Sequence, residues 1–210
     1  MENPKQVFYF ADPMCSWCWG FSPVVAKLQE EFGDRLKWAL VPGGLRAGNR
    51  EAMDPDLKEE VLGHWQQVYQ VTGQPFDFSF EMPEGFCYDT EPACRAMVVM
   101  QILQEERRFD FLRLLHHAFY SDNQDITDPH ILGLLSEAMG VNLEQFNPLF
   151  ASKEVREQTN NAFLFSQQMG VQGFPGLIGQ DATGYARLTN GYATFEQVKS
   201  TIQKWLEGSP

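Results

Sequence analysis

Apolar residues follow two rhythms along this chain, and the switches between them outline its architecture. Val7-Phe8-Tyr9-Phe10 is a short β-rich run ended by Asp12-Pro13, which predicts a strand over 6–10. After Cys15 the spacing becomes helical. Phe21, Val24, Val25, Leu28 and Phe32 recur on one face, and Gly33 is placed to end the helix. Pro23 falls inside this helix, removes one backbone donor and predicts a kink. Leu36 to Val41 reads as a second strand, stopped by Pro42-Gly43-Gly44. A strand–helix–strand unit of this length is right-handed, with its strands parallel.

From about Gly44 to Asn160 the pattern is mostly helical. Asp54-Pro55 is a cap followed by proline at the first helical position, and Leu57, Val61, Leu62, Trp65, Val68 and Tyr69 form one apolar face. Thr90 is placed to cap a helix from Glu91-Pro92 through Leu103. Phe109 to Phe119 predicts the next helix, Asp128-Pro129 opens another that Gly140 closes, and Leu143 to Phe150 reads as a short one. Ser152 starts a long helix ending at Gly170. Two short strands follow Gly173-Phe174-Pro175, Gly176 to Gln180 and Tyr185 to Thr189, joined by Asp181-Ala182-Thr183-Gly184. Thr194-Phe195-Glu196-Gln197 is a capping box for a last helix that Gly208 closes. There is no internal repeat. This order predicts one α/β domain, residues 1–44 and 160–210, interrupted by a helical insertion over 45–159.

Composition narrows the function more than the fold. The 210 residues are 43% hydrophobic and 13% aromatic, which describes an ordinary globular chain with a full core. A net charge of −12 repels nucleic acid and anionic membranes, so neither is an expected partner. The first six residues carry no basic region or apolar stretch of secretory type, and no run of about 18 apolar residues predicts a membrane span. Four cysteines are too few for a disulfide scaffold, and a cytoplasmic location is the expectation.

The candidate chemistry lies in Cys15-Ser16-Trp17-Cys18, at the junction of the first strand and helix. Two thiols at this spacing can close a small disulfide and reopen it, and the helix N-terminus favours a thiolate on the first. Cys15 is therefore the expected attacking thiol, with Cys18 buried one turn further in to resolve a mixed disulfide. A structural disulfide and a zinc half-site are the alternatives. Zinc needs two further ligands, and Cys87 and Cys94 are not at knuckle spacing; no metal site is expected. His116 and His117 point about 100° apart on one helix and cannot share a metal.

Two stretches carry a resemblance. The segment from Asp12 through Cys15-Ser16-Trp17-Cys18 to Phe21 resembles the active-site segment of cytoplasmic DsbA-like disulfide oxidoreductases, and Phe86 to Ala96 resembles a second segment of the same group. The resemblance spans essentially the whole chain and implies a thioredoxin-like fold with a large all-helical insertion. It implies too that Pro175 is a cis-proline facing the disulfide, with Phe174 offering its backbone to a bound peptide. Trp17 is expected to be partly exposed beside the thiols and to grip substrate, while Trp19 is undecided. Two roles stay open for Cys94: a third participating thiol, or a small buried residue packing like alanine. Asp12 could move a proton to or from Cys18, or could serve only as a turn residue before Pro13.

The expected activity is thiol–disulfide exchange on protein or peptide thiols and disulfides, as an oxidoreductase or isomerase, with no bound cofactor and glutathione as a redox partner to consider. A glutathione-dependent isomerase or transferase of the kappa-like type is the runner-up, although those proteins carry serine in place of the first cysteine. A non-enzymatic, chaperone-like binding module is the third reading. Neither the direction of electron flow nor the oligomeric state is legible in the sequence.

Overall fold

Four strands form one mixed sheet in the computed structural model, which describes residues 5–208. The first four residues, to which part of the reading about a secretory segment refers, lie outside the described residues. Strand β1 (Gln6–Ala11) runs parallel to β2 (Lys37–Pro42), with Gln6 opposite Lys37 and Ala11 opposite Pro42. Strand β3 (Gly176–Asp181) is antiparallel to β1, and β4 (Gly184–Asn190) closes a hairpin with it, giving the order β2-β1-β3-β4. Helix α1 (Ser16–Phe32) links β1 to β2. Helices α2 (Pro55–Thr72), α3 (Glu91–Leu103), α4 (Arg108–Tyr120), α5 (Pro129–Ala138), α6 (Leu143–Ala151) and α7 (Lys153–Gln168) lie between β2 and β3, and α8 (Phe195–Leu206) follows β4. This is the DsbA-like thioredoxin fold that the resemblance implies.

The unbroken apolar run of β1 has a simple cause: both faces of the strand are covered. Val7, Tyr9 and Ala11 belong to the main core with residues of α1 and α8, and the Tyr9 and Phe21 rings lie 6.1 Å apart. Phe8 and Phe10 face the other way, against Ala162 and Phe165 of α7 and Met169 just beyond it. The main core continues from the sheet into the helical block. There Trp65 packs against Phe76, Phe80, Phe119 and Tyr120, at centroid distances of 5.0 to 5.7 Å. The proposed boundary at residue 160 falls within α7, and we retain the division into 1–44 with 160–210 and 45–159 as a proposal about chain organisation. No helix among the described residues is long and apolar enough to cross a membrane.

Two local expectations are corrected. Gly33 follows α1 with φ −56, a right-handed conformation, so it does not end the helix by the left-handed route. Thr90 precedes α3 but makes no cap with its side chain; its hydroxyl accepts the Arg46 N–H at 3.2 Å. Asp89 takes over, accepting from the Glu91 N–H at 2.9 Å and the Gly48 N–H at 2.7 Å. Pro23 does lie inside α1, and the acceptor it leaves vacant is the Trp19 carbonyl. That oxygen instead accepts from the Ser22 hydroxyl at 2.9 Å and the Gln74 amide at 3.0 Å. The first turns of α1 are thereby tied to the segment after α2.

Candidate active site

Cys15 is the N-cap residue of α1, with extended backbone. Its N–H donates to the Asp12 carbonyl at 3.1 Å, and its own carbonyl accepts from the Cys18 N–H at 2.9 Å. The first helical turn holds no acidic residue, which leaves the positive end of the helix facing the thiols. Cys15 is 6% exposed and Cys18 not at all, so a reagent reaches the first sulfur and not the second. Both are free thiols. Burial, and then the neighbouring Cys15, push the Cys18 thiol well above the ordinary range. Tyr9 lies beneath the pair. Burial, and then the charge Cys18 can carry, raise its phenol well above the usual value.

The loop before β3 forms the opposite wall. The Phe174–Pro175 peptide is cis, and the Phe174 carbonyl accepts from the Cys15 thiol at 3.5 Å. The Phe174 ring lies against Gly43, where a Cβ would come within 2.5 Å of the ring. Gly43 is therefore a close-approach glycine at the end of β2, and its N–H donates to the Ala11 carbonyl at 2.8 Å. Trp17 is half-buried against Tyr192, with ring centroids 5.6 Å apart. Trp19 is buried, and its indole N–H donates to the Pro75 carbonyl at 2.9 Å. A cavity of about 470 Å³ opens over Cys15. Met14, Trp17, Leu45 and Phe174 line it together with Val61, His64 and Trp65 of α2, Arg46 and Tyr88.

Asp12 and Cys94 lie behind the thiol loop. The Asp12 carboxylate accepts from the Met14 N–H at 2.9 Å and the Leu45 N–H at 2.7 Å, and the Cys94 thiol faces it at 3.5 Å. Cys18 is not among these hydrogen-bond partners; the Asp12 backbone faces it, and the Asp12 charge adds to the raising of its thiol. Cys94 occupies the fourth position of α3, its N–H bonded to the Thr90 carbonyl at 3.1 Å. Burial, and then the Asp12 charge, raise its thiol well above the ordinary range, so desolvation outweighs the helix terminus. Cys87 is half-buried, with its thiol on the Gly85 carbonyl. Among the described residues no group of three or more His, Cys, Asp or Glu side chains could hold a metal ion. The structure thus brings Cys15, Cys18, Trp17, Phe174 and Pro175 to one cleft and sets Asp12 and Cys94 behind it.

Sequence reasoning passed over His116 and Tyr88. The Tyr88 hydroxyl donates to the Met14 carbonyl, fixing the loop from the side of the helical block. His116 is fully buried on α4 and its Nε2 lies 3.2 Å from the Asp12 carbonyl, which identifies Nε2 as the protonated nitrogen. The signal was available: His116 shares a helical face with Leu112, Phe119 and Tyr120, a spacing that predicts burial. Burial pulls its pKa down to about 4, against the opposing bond to the Asp12 carbonyl. Because the unfolded chain takes up a proton near pH 6.5 and the folded one near 4, the contribution of His116 to stability is full above 6.5. It is lost as pH falls toward 4, by at most about 1.4 kcal/mol per pH unit. His116→Gln, which keeps a donor for the Asp12 carbonyl, is expected to flatten that part of the curve. Denaturant titrations at pH 7, 5.5 and 4 measure it, and an unaltered slope refutes the assignment.

Comparison with known proteins bears on the fold and family of the chain. The profile of the DSBA-like thioredoxin domain matches residues 6–203. A crystal structure of a candidate protein disulfide isomerase from Nitrosomonas europaea is 36% identical, with a TM-score of 0.91 over 99% of this chain and 100% of that one. The cytosolic disulfide reductase DsbM from Pseudomonas aeruginosa, also solved with GSH, is 20% identical, with a TM-score of 0.78 over 97% of this chain and 100% of its own, a likeness of fold. The ClpXP adapter protein SpxH of Halalkalibacterium halodurans is 25% identical over 182 residues, 84% of this chain. The aligned region covers only 59% of that relative.

Proposed function

Because this chain belongs to the DSBA-like thioredoxin domain family, we propose that its Cys15–Cys18 pair carries out thiol–disulfide exchange on protein or peptide substrates. One observation carries the reading most directly. The Cys15 sulfur is the reachable one, at the floor of a cleft and at a helix N-terminus, while Cys18 is sealed behind it. In the reducing direction the Cys15 thiolate attacks one sulfur of a substrate disulfide and expels the other as a thiolate, leaving Cys15 in a mixed disulfide. The Cys18 thiolate then attacks Cys15, frees the second substrate sulfur and closes the Cys15–Cys18 disulfide. Two electrons and two protons pass to the substrate. The raised Cys18 pKa keeps that sulfur protonated until the mixed disulfide forms, which disfavours its reaction with anything but Cys15.

The apolar cleft wall formed by Trp17, Val61 and Trp65 suits an uncharged segment flanking the substrate cysteine. The reading takes the cytoplasm as the setting and glutathione as the recycling thiol, with net reduction and isomerisation as its two outcomes. Equilibration of the wild-type pair against reduced and oxidised glutathione, read by alkylation and mass spectrometry, is expected to show a reversible Cys15–Cys18 disulfide. Under the same conditions Cys18→Ser is expected to accumulate a glutathione adduct on Cys15. Absence of the disulfide at every ratio sinks the proposal.

The SpxH relatives favour a second reading, a protein-binding adapter that needs no thiol chemistry. The chain spans less than two thirds of those proteins, and client binding that survives Cys15→Ser would point to it.

A further inference from the structure

Two consecutive glycines follow β2, and each faces an aromatic ring. A Cβ on Gly44 would come within 2.6 Å of the Phe163 ring, and one on Gly43 within 2.5 Å of the Phe174 ring. Gly44 has φ +70, a conformation that favours glycine whatever surrounds it. Gly43 is not among the positive-φ glycines, so its backbone would accept a side chain. What the missing side chain at 43 accommodates is the ring of Phe174.

The approach is end-on. Cζ, Cε1 and Cε2 of Phe174 would lie 2.5, 2.7 and 2.8 Å from the added Cβ, well inside the separation of about 3.5–4.0 Å at which carbon atoms attract. The tip of the ring therefore fills the space that a side chain at 43 would occupy. Behind it Phe10, Val41 and Ile178 form a buried cluster on which the ring also packs. The main chain is held in place too. The Phe174 carbonyl accepts from the Cys15 thiol at 3.5 Å, and the Pro175 carbonyl accepts from the Gly191 N–H at 2.8 Å. A ring expelled from this notch has one open direction, the cleft of about 470 Å³ over Cys15 that Phe174 lines.

On the reading of Cys15 and Cys18 as an exchange pair, we infer that Gly43 is a specificity-determining residue. Its notch stows the Phe174 ring clear of the cleft and so admits disulfides whose cysteine is flanked by a bulky apolar side chain. With the ring seated, the cleft runs from Cys15 to the apolar surfaces of Trp17, Val61 and Trp65. A large side chain next to the substrate cysteine can bury itself there while the sulfur meets Cys15. With the ring displaced, that side chain and Phe174 compete for one volume. A disulfide flanked by glycine needs none of this room and is nearly indifferent to where the ring lies. The favoured substrates are therefore peptide or protein disulfides with an aromatic or large aliphatic neighbour, over small hydrophilic disulfides.

Single-turnover reduction of two matched peptide disulfides tests the assignment, one with tryptophan and one with glycine beside each cysteine. The prereduced protein supplies both electrons and both protons from Cys15 and Cys18, so no recycling thiol is needed. Wild type is expected to reduce the tryptophan peptide at least as fast as the glycine peptide. Gly43→Ala is expected to lower the ratio of the two rate constants by about tenfold or more, the usual scale for losing part of an apolar pocket. Adding Phe174→Leu, which removes the three clashing atoms, is expected to restore most of that ratio. A merely structural role for Gly43 would lower the melting temperature, or both rates equally, and leave the ratio alone. The inference is overturned if folded Gly43→Ala changes the ratio by less than about twofold, or if the second substitution restores nothing. Should Gly43→Ala not fold, Phe174→Trp carries the same expectation, because its larger ring overfills the notch, and an unchanged ratio then overturns the inference. Failure of wild type to reduce either peptide would instead refute the exchange reaction on which the inference rests.

Discussion

Cys15→Ser is expected to reduce insulin-disulfide reduction to the rate of the added reductant alone, with a melting curve close to that of wild type. The two halves of this expectation have separate causes. Exchange requires a thiolate, and serine at this position has no accessible ionised form near neutral pH. Cys18 cannot substitute, because it is fully buried and its thiol is held protonated. The fold tolerates the change because the serine hydroxyl can donate to the Phe174 carbonyl as the thiol does, and the backbone bonds of the loop remain. A stability change within about 1 kcal/mol is expected for so small an edit. Residual activity well above the reductant background would move the nucleophile elsewhere, and Cys87, the other incompletely buried thiol, would be the next to test.

The largest expected loss of stability comes from Trp65→Ala. Trp65 is 1% exposed, and four aromatic rings surround it within the helical block. Removing the indole from such a site costs about 3–5 kcal/mol through lost burial and the cavity left behind. For a chain of this size that corresponds to a melting temperature lower by roughly 6–20 °C. The same side chain lines the cleft over Cys15, so the variant is expected to weaken substrate binding at temperatures where it is still folded. Calorimetry and a KM measurement separate the two effects. A melting temperature within 2 °C of wild type would mean that the ring cluster relaxes around the gap.

The sequence showed much of this structure for identifiable reasons. Period-2 and period-3.6 patterns placed β1, β2 and most helices within a residue or two, and the capping box Thr194 to Gln197 is present at the start of α8. Turn residues placed the β3–β4 hairpin. Long-range relations were harder to see. Nothing near Asp12 in the sequence shows that Leu45 and Cys94 converge on its carboxylate, since those contacts bridge 33 and 82 positions. The local neighbours of Thr90 mark it as a cap, yet a tertiary partner, the Arg46 N–H, takes its hydroxyl. The helical spacing that buries His116 was visible, but its chemical use depends on a carbonyl 104 residues away.

The acceptor left vacant by Pro23 has a consequence for access to the thiols. Gln74 and Pro75 both bind Trp19, one through its carbonyl and the other through its indole, immediately beyond the second thiol. Any rigid swing of the helical block away from the sheet would have to break both bonds, each contributing about 1 kcal/mol, and uncover a buried tryptophan as well. The cleft therefore behaves as a jaw clamped at its hinge rather than as a door. In the proposed exchange, fitting a client to Cys15 would fall to the loops at its lip, residues 44–48 and 173–174. The expectation for that reaction is that a bulky folded disulfide reacts only where its cysteine lies on a protruding strand or loop.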